Sequence, residues 1–326
     1  MTQERKSFME TRIDQIQAAI SQAWMLIQQA QKITLLTHRK PDADGISACA
    51  ALSSVLEKMG KQIEAIYLDT PEFPLKRSPS NILIGHHKQV PDLLIACDTA
   101  NYDRLYYPDV FRIIPLINID HHVSNRLQGI CNIVDTTVSS TCELLYDLLC
   151  IWDKAVIDAH VAECLMIGIL YDSQVFHTQA TTSKTLRVAG ELIDHGANLF
   201  ELKTELLSNK SPEVITLWGE ILLRVQISPS GKAAWVGITQ EDLTTHHVTL
   251  TSLIGFSNFL WEISGVDITL VFYEMESGET KVSLRSKESD VNQIASRFGG
   301  GGHKNASGIL SKRPMNELMK DVTKNL

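Results

Sequence analysis

The chain has 326 residues, 44% hydrophobic and 21% charged, a globular composition long enough for two cores. Its net charge of −8 argues against extended, non-specific contact with a nucleic-acid backbone. No apolar run approaches the roughly 18 residues a membrane helix needs, and the polar opening MTQERKSFME is not a secretory signal. The six cysteines form no C-x-x-C pair and lie in or beside apolar runs, so reduced, buried thiols and a cytoplasmic location are expected.

In chain order, residues 12–31 carry Ile13, Ile16, Ile20, Trp24 and Ile27 near helical spacing. Short apolar runs then alternate with helical patterns: Ile33–Thr37, Ile63–Leu68, Leu93–Cys97 and Leu116–Ile119. Continuous apolar strands between helices predict an α/β domain with a mainly parallel sheet and helices on both faces. Helices are expected over 142–151, 155–171 and 183–196, with His195-Gly196-Ala197-Asn198 as a stop. Residues 199–215 read as a partly helical connector. A second, smaller α/β unit follows, with strands at Ala233–Ile238, Asp267–Tyr273 and Lys281–Arg285 and a short helix over 291–298. The expected boundaries are 1–198, 199–215 and 216–326.

Parallel α/β sheets bind ligands at the carboxyl ends of their strands. The first strand is followed by His38, Asp42 and Asp44, the third by Asp98, and the fourth by Asp120, His121 and His122; Asp172 ends an apolar helix. One aspartate at a strand end is ordinarily a helix cap. Three strand ends and one helix end all bearing acids or histidines point instead to a cluster that needs positive charge. Such a cluster suits two divalent cations sharing one bridging carboxylate, with mixed nitrogen and oxygen donors favouring Mn²⁺ over Mg²⁺. The pairs His86-His87 and His246-His247 follow no such strand and read as surface histidines.

The run Phe298-Gly299-Gly300-Gly301-Gly302-His303 is either a flexible linker or a place where backbone approaches a ligand closely. The strand-like residues behind it, and Arg285 and Ser286 at a nearby strand end, favour an anion-binding role. Lys281–Leu326 holds nine Lys or Arg against four Asp or Glu, a local +5, which leaves −13 on the remainder.

Asp120-His121-His122, with His38-x-x-x-Asp42-x-Asp44, Asp98 and Asp172, resembles the DHH phosphoesterases, and Leu284-Arg285-Ser286 with Gly299–His303 resembles the DHHA1 domain that follows their catalytic domain. Among relatives, the chain is most similar to the nanoRNase/pAp-phosphatase branch. The resemblance implies that His38 and Asp42 hold one metal, that Asp44, His121 and Asp172 hold a second, and that Asp98 bridges them. It implies that His122 contacts the scissile phosphate, that Asp120 orients a neighbouring imidazole, and that Arg285, Ser286, Gly301, Gly302 and His303 recognise the nucleotide. Where many relatives carry Asn before the Pro and a Gly-Ser pair beyond the second Asp, this chain has Lys40, Ser47 and Ala48.

The expected activity is hydrolysis of very short RNA or DNA oligonucleotides to mononucleotides, with removal of the 3′ phosphate of pAp by the same site. A homodimer is the one assembly considered, with no membrane partner. Hydrolysis of cyclic di-AMP or linear pApA is the nearest alternative, since it would use the same ligands. A processive single-strand DNA exonuclease would want a long basic groove, which the net charge disfavours. A nucleotide sensor without catalysis would be expected to lack a metal ligand, and none is missing.

Overall fold

The computed structural model describes residues 17–71, 76–207, 210–253, 255–324 and 326. They form two compact units that divide between Leu206 and Leu207.

The first unit opens with helix α1 over residues 17–29; the start expected at residue 12 lies outside the described residues. Its strands are β1 (Lys32–Leu36), β2 (Gln62–Tyr67), β3 (Ile82–Ile84), β4 (Leu93–Cys97), β5 (Leu116–Asp120) and β6 (Cys131–Val134). Every ladder between them is parallel, in the order β3-β2-β1-β4-β5-β6. The order reverses between β1 and β4, so their carboxyl ends flank the crevice where open α/β sheets bind ligands. All of β4 and β5 and nearly all of β1 are buried, in keeping with their largely apolar sequences.

One face of this sheet packs against α1, α2 (Ala43–Lys58), α3 (Thr141–Asp153), α4 (Ala159–Asp172) and α5 (Ser183–Asp194). Short 3₁₀ turns at Tyr102–Arg104 and Asp109–Ile113 lie along the chain that covers the other face, where Leu105 and Phe111 sit against Leu36, Ile66 and Leu94. Helix α6 (Leu199–Leu207) ends the unit, so much of the expected connector is helical.

The second unit begins with α7 (Pro212–Leu223), which Ser211 caps by accepting from the Val214 amide with proline in the first turn. It continues with β7 (Gln226–Ile227), β8 (Ala233–Ile238), α8 (Gln240–Thr245), α9 (Phe256–Trp261), β9 (Ile268–Glu274), β10 (Thr280–Ser286), α10 (Val291–Arg297), β11 (Gly301–His303), β12 (Ala306–Ser311) and α11 (Met315–Thr323). The sheet order is β11-β12-β10-β9-β8-β7, mixed, with only β8 and β9 parallel. Alternating residues of β9 face α7 and α9 on one side (Val271, Tyr273) and α10 and α11 on the other (Leu270, Phe272).

Helix α2 is buried almost all round, from Ala43 to Leu56, and its small residues admit α4 closely. Gly168 of α4 marks the tightest point: a Cβ there would collide with Asp44 Oδ1 and Cys142 Sγ, tying three helices to one carboxylate. By contrast, Gly190 on exposed α5 has open space around it. We expect Gly168→Ala to cost about 1–3 kcal/mol through overpacking, and Gly190→Ala to gain up to about 1 kcal/mol from helix propensity. Urea denaturation of both variants checks this; equal effects would contradict the tight-contact account.

Candidate metal centre and active site

The carboxyl ends of β1, β4 and β5 deliver the expected side chains to one place. His38, two residues past β1, is 5% exposed, with Nε2 3.6 Å from Asp42 Oδ1 and 3.5 Å from Asp98 Oδ2. Its Nδ1 lies 2.8 Å from the Arg39 carbonyl oxygen, so a proton on Nδ1 leaves the Nε2 lone pair facing the carboxylates. Asp42 is also the N-cap of α2, with Oδ1 accepting from the amides of Asp44 (3.1 Å) and Gly45 (3.2 Å). The cap and ligand readings are therefore not exclusive at this residue.

Asp44 is wholly buried and accepts from the amides of Thr141 (2.7 Å) and Cys142 (3.0 Å). These are the first amides of α3, where orphan N–H groups and the helix dipole favour negative charge. Ser140 and Glu143 offered a signal for that helix start in the Ser-x-x-Glu spacing. Nothing local indicated that the start would face Asp44, about a hundred residues earlier in the chain.

Asp98 is the hub. It is 1% exposed and follows β4 in a left-handed backbone conformation (φ +57°) that is uncommon for a residue with a side chain. Its carboxylate accepts from Thr141 Oγ1 at 3.1 Å and lies 3.5–3.6 Å from nitrogens of His38, His121 and His122. Asp120, at the end of β5, is fully buried; it accepts from the His121 amide at 2.8 Å, sits 2.7 Å from His122 Nδ1, and accepts from Asn125 Nδ2. Asp172, the last residue of α4, lies 3.1 Å from His121 Nε2.

Ligand atoms converge in three overlapping sets, each within 4.8 Å: His38-Asp42-Asp98, Asp98-His121-His122 and Asp44-His121-Asp172. Two carboxylates at that separation repel by about 3–4 kcal/mol at an effective dielectric constant near 20. Burial pulls the His38 imidazole down, but bonds to Asp42 and Asp98 outweigh it and lift its pKa to about 10. For Asp98, burial opposes ionisation, yet the surrounding imidazoles hold it below the usual carboxylate range. Asp44 and Asp172 are both pushed well up, first by burial and then by neighbouring carboxylates. The His122 imidazole is also raised: burial lowers it, and the Asp120 bond more than compensates. Protons thus do, at several of these atoms, what a divalent cation would do better. The donor set of carboxylate oxygens and imidazole nitrogens fits such cations, and no cysteine belongs to it.

In the second unit, Arg285 and Ser286 end β10, with Ser286 Oγ donating to the Ser289 carbonyl at 2.6 Å. Gly301–His303 pairs with β12, so this part of the glycine run is an ordered strand and not a linker. At Gly302 a Cβ would sit 2.6 Å from the Ala306 carbonyl oxygen; Gly301 has more room, with Asn292 Oδ1 at 3.8 Å. The close approach at Gly302 is thus to the chain's own backbone. The side chain of His303 lies outside the described residues. Neither His86-His87 nor His246-His247 joins the cluster; His87 packs on Tyr106 and Phe111, and His246 lies 3.0 Å from Glu220.

Because His38, Asp44 and Asp172 hold protons above their ordinary range, divalent-cation binding near neutral pH should release protons, and affinity should rise with pH. Calorimetry of Mn²⁺ binding in two buffers of different ionisation enthalpy reads this directly. Equal heats in both buffers would contradict the assignment.

The DHH family N-terminal domain model matches residues 32–169, and the DHHA1 domain model matches residues 239–325. The chain is 32% identical over 298 residues to the Bifunctional oligoribonuclease and PAP phosphatase NrnA of Bacillus subtilis, covering 89% of this chain and 93% of that one. It is 30% identical to the protein of the same name in Thermus thermophilus, covering 86% and 84% of the two chains. The crystal structure of an exopolyphosphatase-related protein from Bacteroides fragilis superposes with a TM-score of 0.87 at 25% identity, covering 94% of this chain and 95% of that one. With both domain models in order and relatives matched along nearly their whole length, the chain belongs to the DHH–DHHA1 family.

Proposed function

We propose that this protein is a metal-dependent phosphoesterase that hydrolyses very short oligonucleotides to mononucleotides and removes the 3′ phosphate of pAp. The observation that carries the reading is the convergence of four aspartates and three histidines at the switch point of the parallel sheet. The names of the relatives, oligoribonuclease and PAP phosphatase, point to the substrate class. Five of the six cysteines are buried, and we place the enzyme in the cytoplasm.

In this reading His38 and Asp42 hold one cation, Asp44, His121 and Asp172 hold the other, and Asp98 serves both. Mn²⁺ suits the mixed donors best, with Mg²⁺ as the alternative. When bound, such a pair lowers the pKa of water and neutralises charge that develops on phosphate oxygens. The remaining work falls to the chain. The Arg39 carbonyl holds the proton of His38 on Nδ1 and so keeps Nε2 available. Asp120, itself fixed by Asn125 and the His121 amide, holds His122 by Nδ1, and His122 serves as a donor to a phosphate oxygen through its other nitrogen. The raised pKa of His122 keeps that donor protonated further up the pH scale. The first unit acts as the catalytic domain, and the second grips the nucleotide through Arg285, Ser286, Gly301, Gly302 and His303.

Turnover of a panel containing pAp, two- to five-nucleotide RNA and DNA, longer oligomers and cyclic dinucleotides tests the reading. We expect activity on the short oligomers and pAp, loss on chelation, and better recovery with Mn²⁺ than with Ca²⁺. Full activity in excess chelator, or turnover confined to cyclic dinucleotides, would overturn it.

The division of labour generates a separate expectation. His303→Ala and Arg285→Ala should lower kcat/KM strongly for short oligonucleotides and little for bis-p-nitrophenyl phosphate, which has no nucleoside to hold. Equal losses on both substrates, or none, would contradict the nucleotide grip.

A further inference from the structure

The 3₁₀ turn that follows Asp98 places a guanidinium beside the cluster. Arg104 Nη2 lies 3.1 Å from His38 Nδ1, and the Arg39 amide donates to the Arg104 carbonyl at 2.6 Å. The turn is firmly seated. Leu105 is buried against Leu36, Ile66 and Leu94, its amide donates to the Tyr102 carbonyl at 2.9 Å, and the Tyr102 hydroxyl donates to the Gln128 carbonyl at 2.6 Å. Arg104 itself is exposed, and among the described residues no carboxylate lies within ion-pair distance of it.

The contact with His38 does not satisfy this arginine. Nδ1 offers either a proton or a lone pair, and the Arg39 carbonyl at 2.8 Å needs the proton. A guanidinium has donors only. With the proton on Nδ1, Arg104 faces another N–H and its fork has no acceptor there. The opposite tautomer would satisfy Arg104 but would put a proton on Nε2, the nitrogen that faces Asp42 and Asp98. An exposed guanidinium next to His38, on a turn tied to the core, is thus left without the anion that would complete it, and its planar fork matches phosphate.

We propose that Arg104 is a phosphate-binding residue of the catalytic unit, taking a non-bridging oxygen of the substrate's scissile phosphate on the side of the cluster occupied by His38. The proposal rests on the phosphoesterase reading above. It adds a phosphate contact that serves every substrate, independent of any nucleoside, and so differs from the grip assigned to Arg285 and His303.

The test compares wild type, Arg104→Ala, Arg104→Lys and Arg112→Ala, all loaded with Mn²⁺. Calorimetry reads the affinity for Mn²⁺ and then for inorganic phosphate, and kinetics read kcat/KM for a dinucleotide and for bis-p-nitrophenyl phosphate. For Arg104→Ala we expect unchanged Mn²⁺ affinity, phosphate affinity weakened about 10- to 100-fold, and comparable losses on both substrates. Added guanidinium should recover part of the loss, and Arg104→Lys should be intermediate. Arg112→Ala, whose guanidinium pairs with Asp109 at 3.0 Å, should match wild type. Phosphate affinity unchanged in Arg104→Ala would overturn the proposal. So would weaker Mn²⁺ binding with normal phosphate affinity at saturating metal, which would make Arg104 a positioning residue for His38. If wild type turns over neither substrate but the difference in phosphate affinity persists, the function proposed above fails while the phosphate subsite stands.

Discussion

Asp98 holds a buried negative charge against three imidazoles at the point where the strand order of the sheet reverses, and the rest of the first unit is arranged around that fact. Asp42, Asp44 and Asp172 come close to the same point, and their repulsion is answered by oriented N–H groups, imidazoles and protons. The amides of α3 serve Asp44, and those at the start of α2 serve Asp42. Those bonds are fixed by the fold and cost no reorganisation when a ligand arrives. They do not remove the excess of acid, which is why divalent cations are the natural complement of the site.

Holding these charges together requires close helix packing behind them. Helices α2, α3 and α4 meet through small side chains and one glycine, Gly168, with Asp44 at their junction. A larger residue at that point would move a carboxylate of the cluster, so core packing and ligand geometry are the same constraint seen from two sides. The second unit carries a different charge balance, with a basic stretch from Lys281 onward. Cation-holding acid in one unit and anion-attracting base in the other is the division expected of an enzyme that handles a nucleotide phosphate.

Much of the site was legible in the sequence because short, mostly apolar strands end abruptly in charge. That contrast located His38, Asp98, Asp120, His121 and His122 without any knowledge of the fold, and the order of the motifs supplied the family. Strands β3 and β6 were not legible: Ile82–Ile84 is three residues long, and Asn132 interrupts Cys131–Val134. Helix α7 was missed although Ser211-Pro212 is a helix-start signal, because the run Ser208–Pro212 also reads as a turn. Contacts made across long stretches of chain left no local trace. The Thr141 and Cys142 amides at Asp44, Gly168 against Cys142, and Arg104 beside His38 all depend on tertiary packing, which periodicity and spacing do not encode.

The central claim is that one carboxylate, Asp98, serves both halves of a divalent-cation site on which hydrolysis depends. Asp98→Asn keeps the shape and removes the charge. Mn²⁺ titration followed by calorimetry, with dinucleotide turnover measured on the same samples, tests the claim most directly. The account predicts weakened binding at both cation positions and turnover reduced to background, with the fold intact by circular dichroism. Two cations bound at wild-type affinity with near-normal turnover would contradict it.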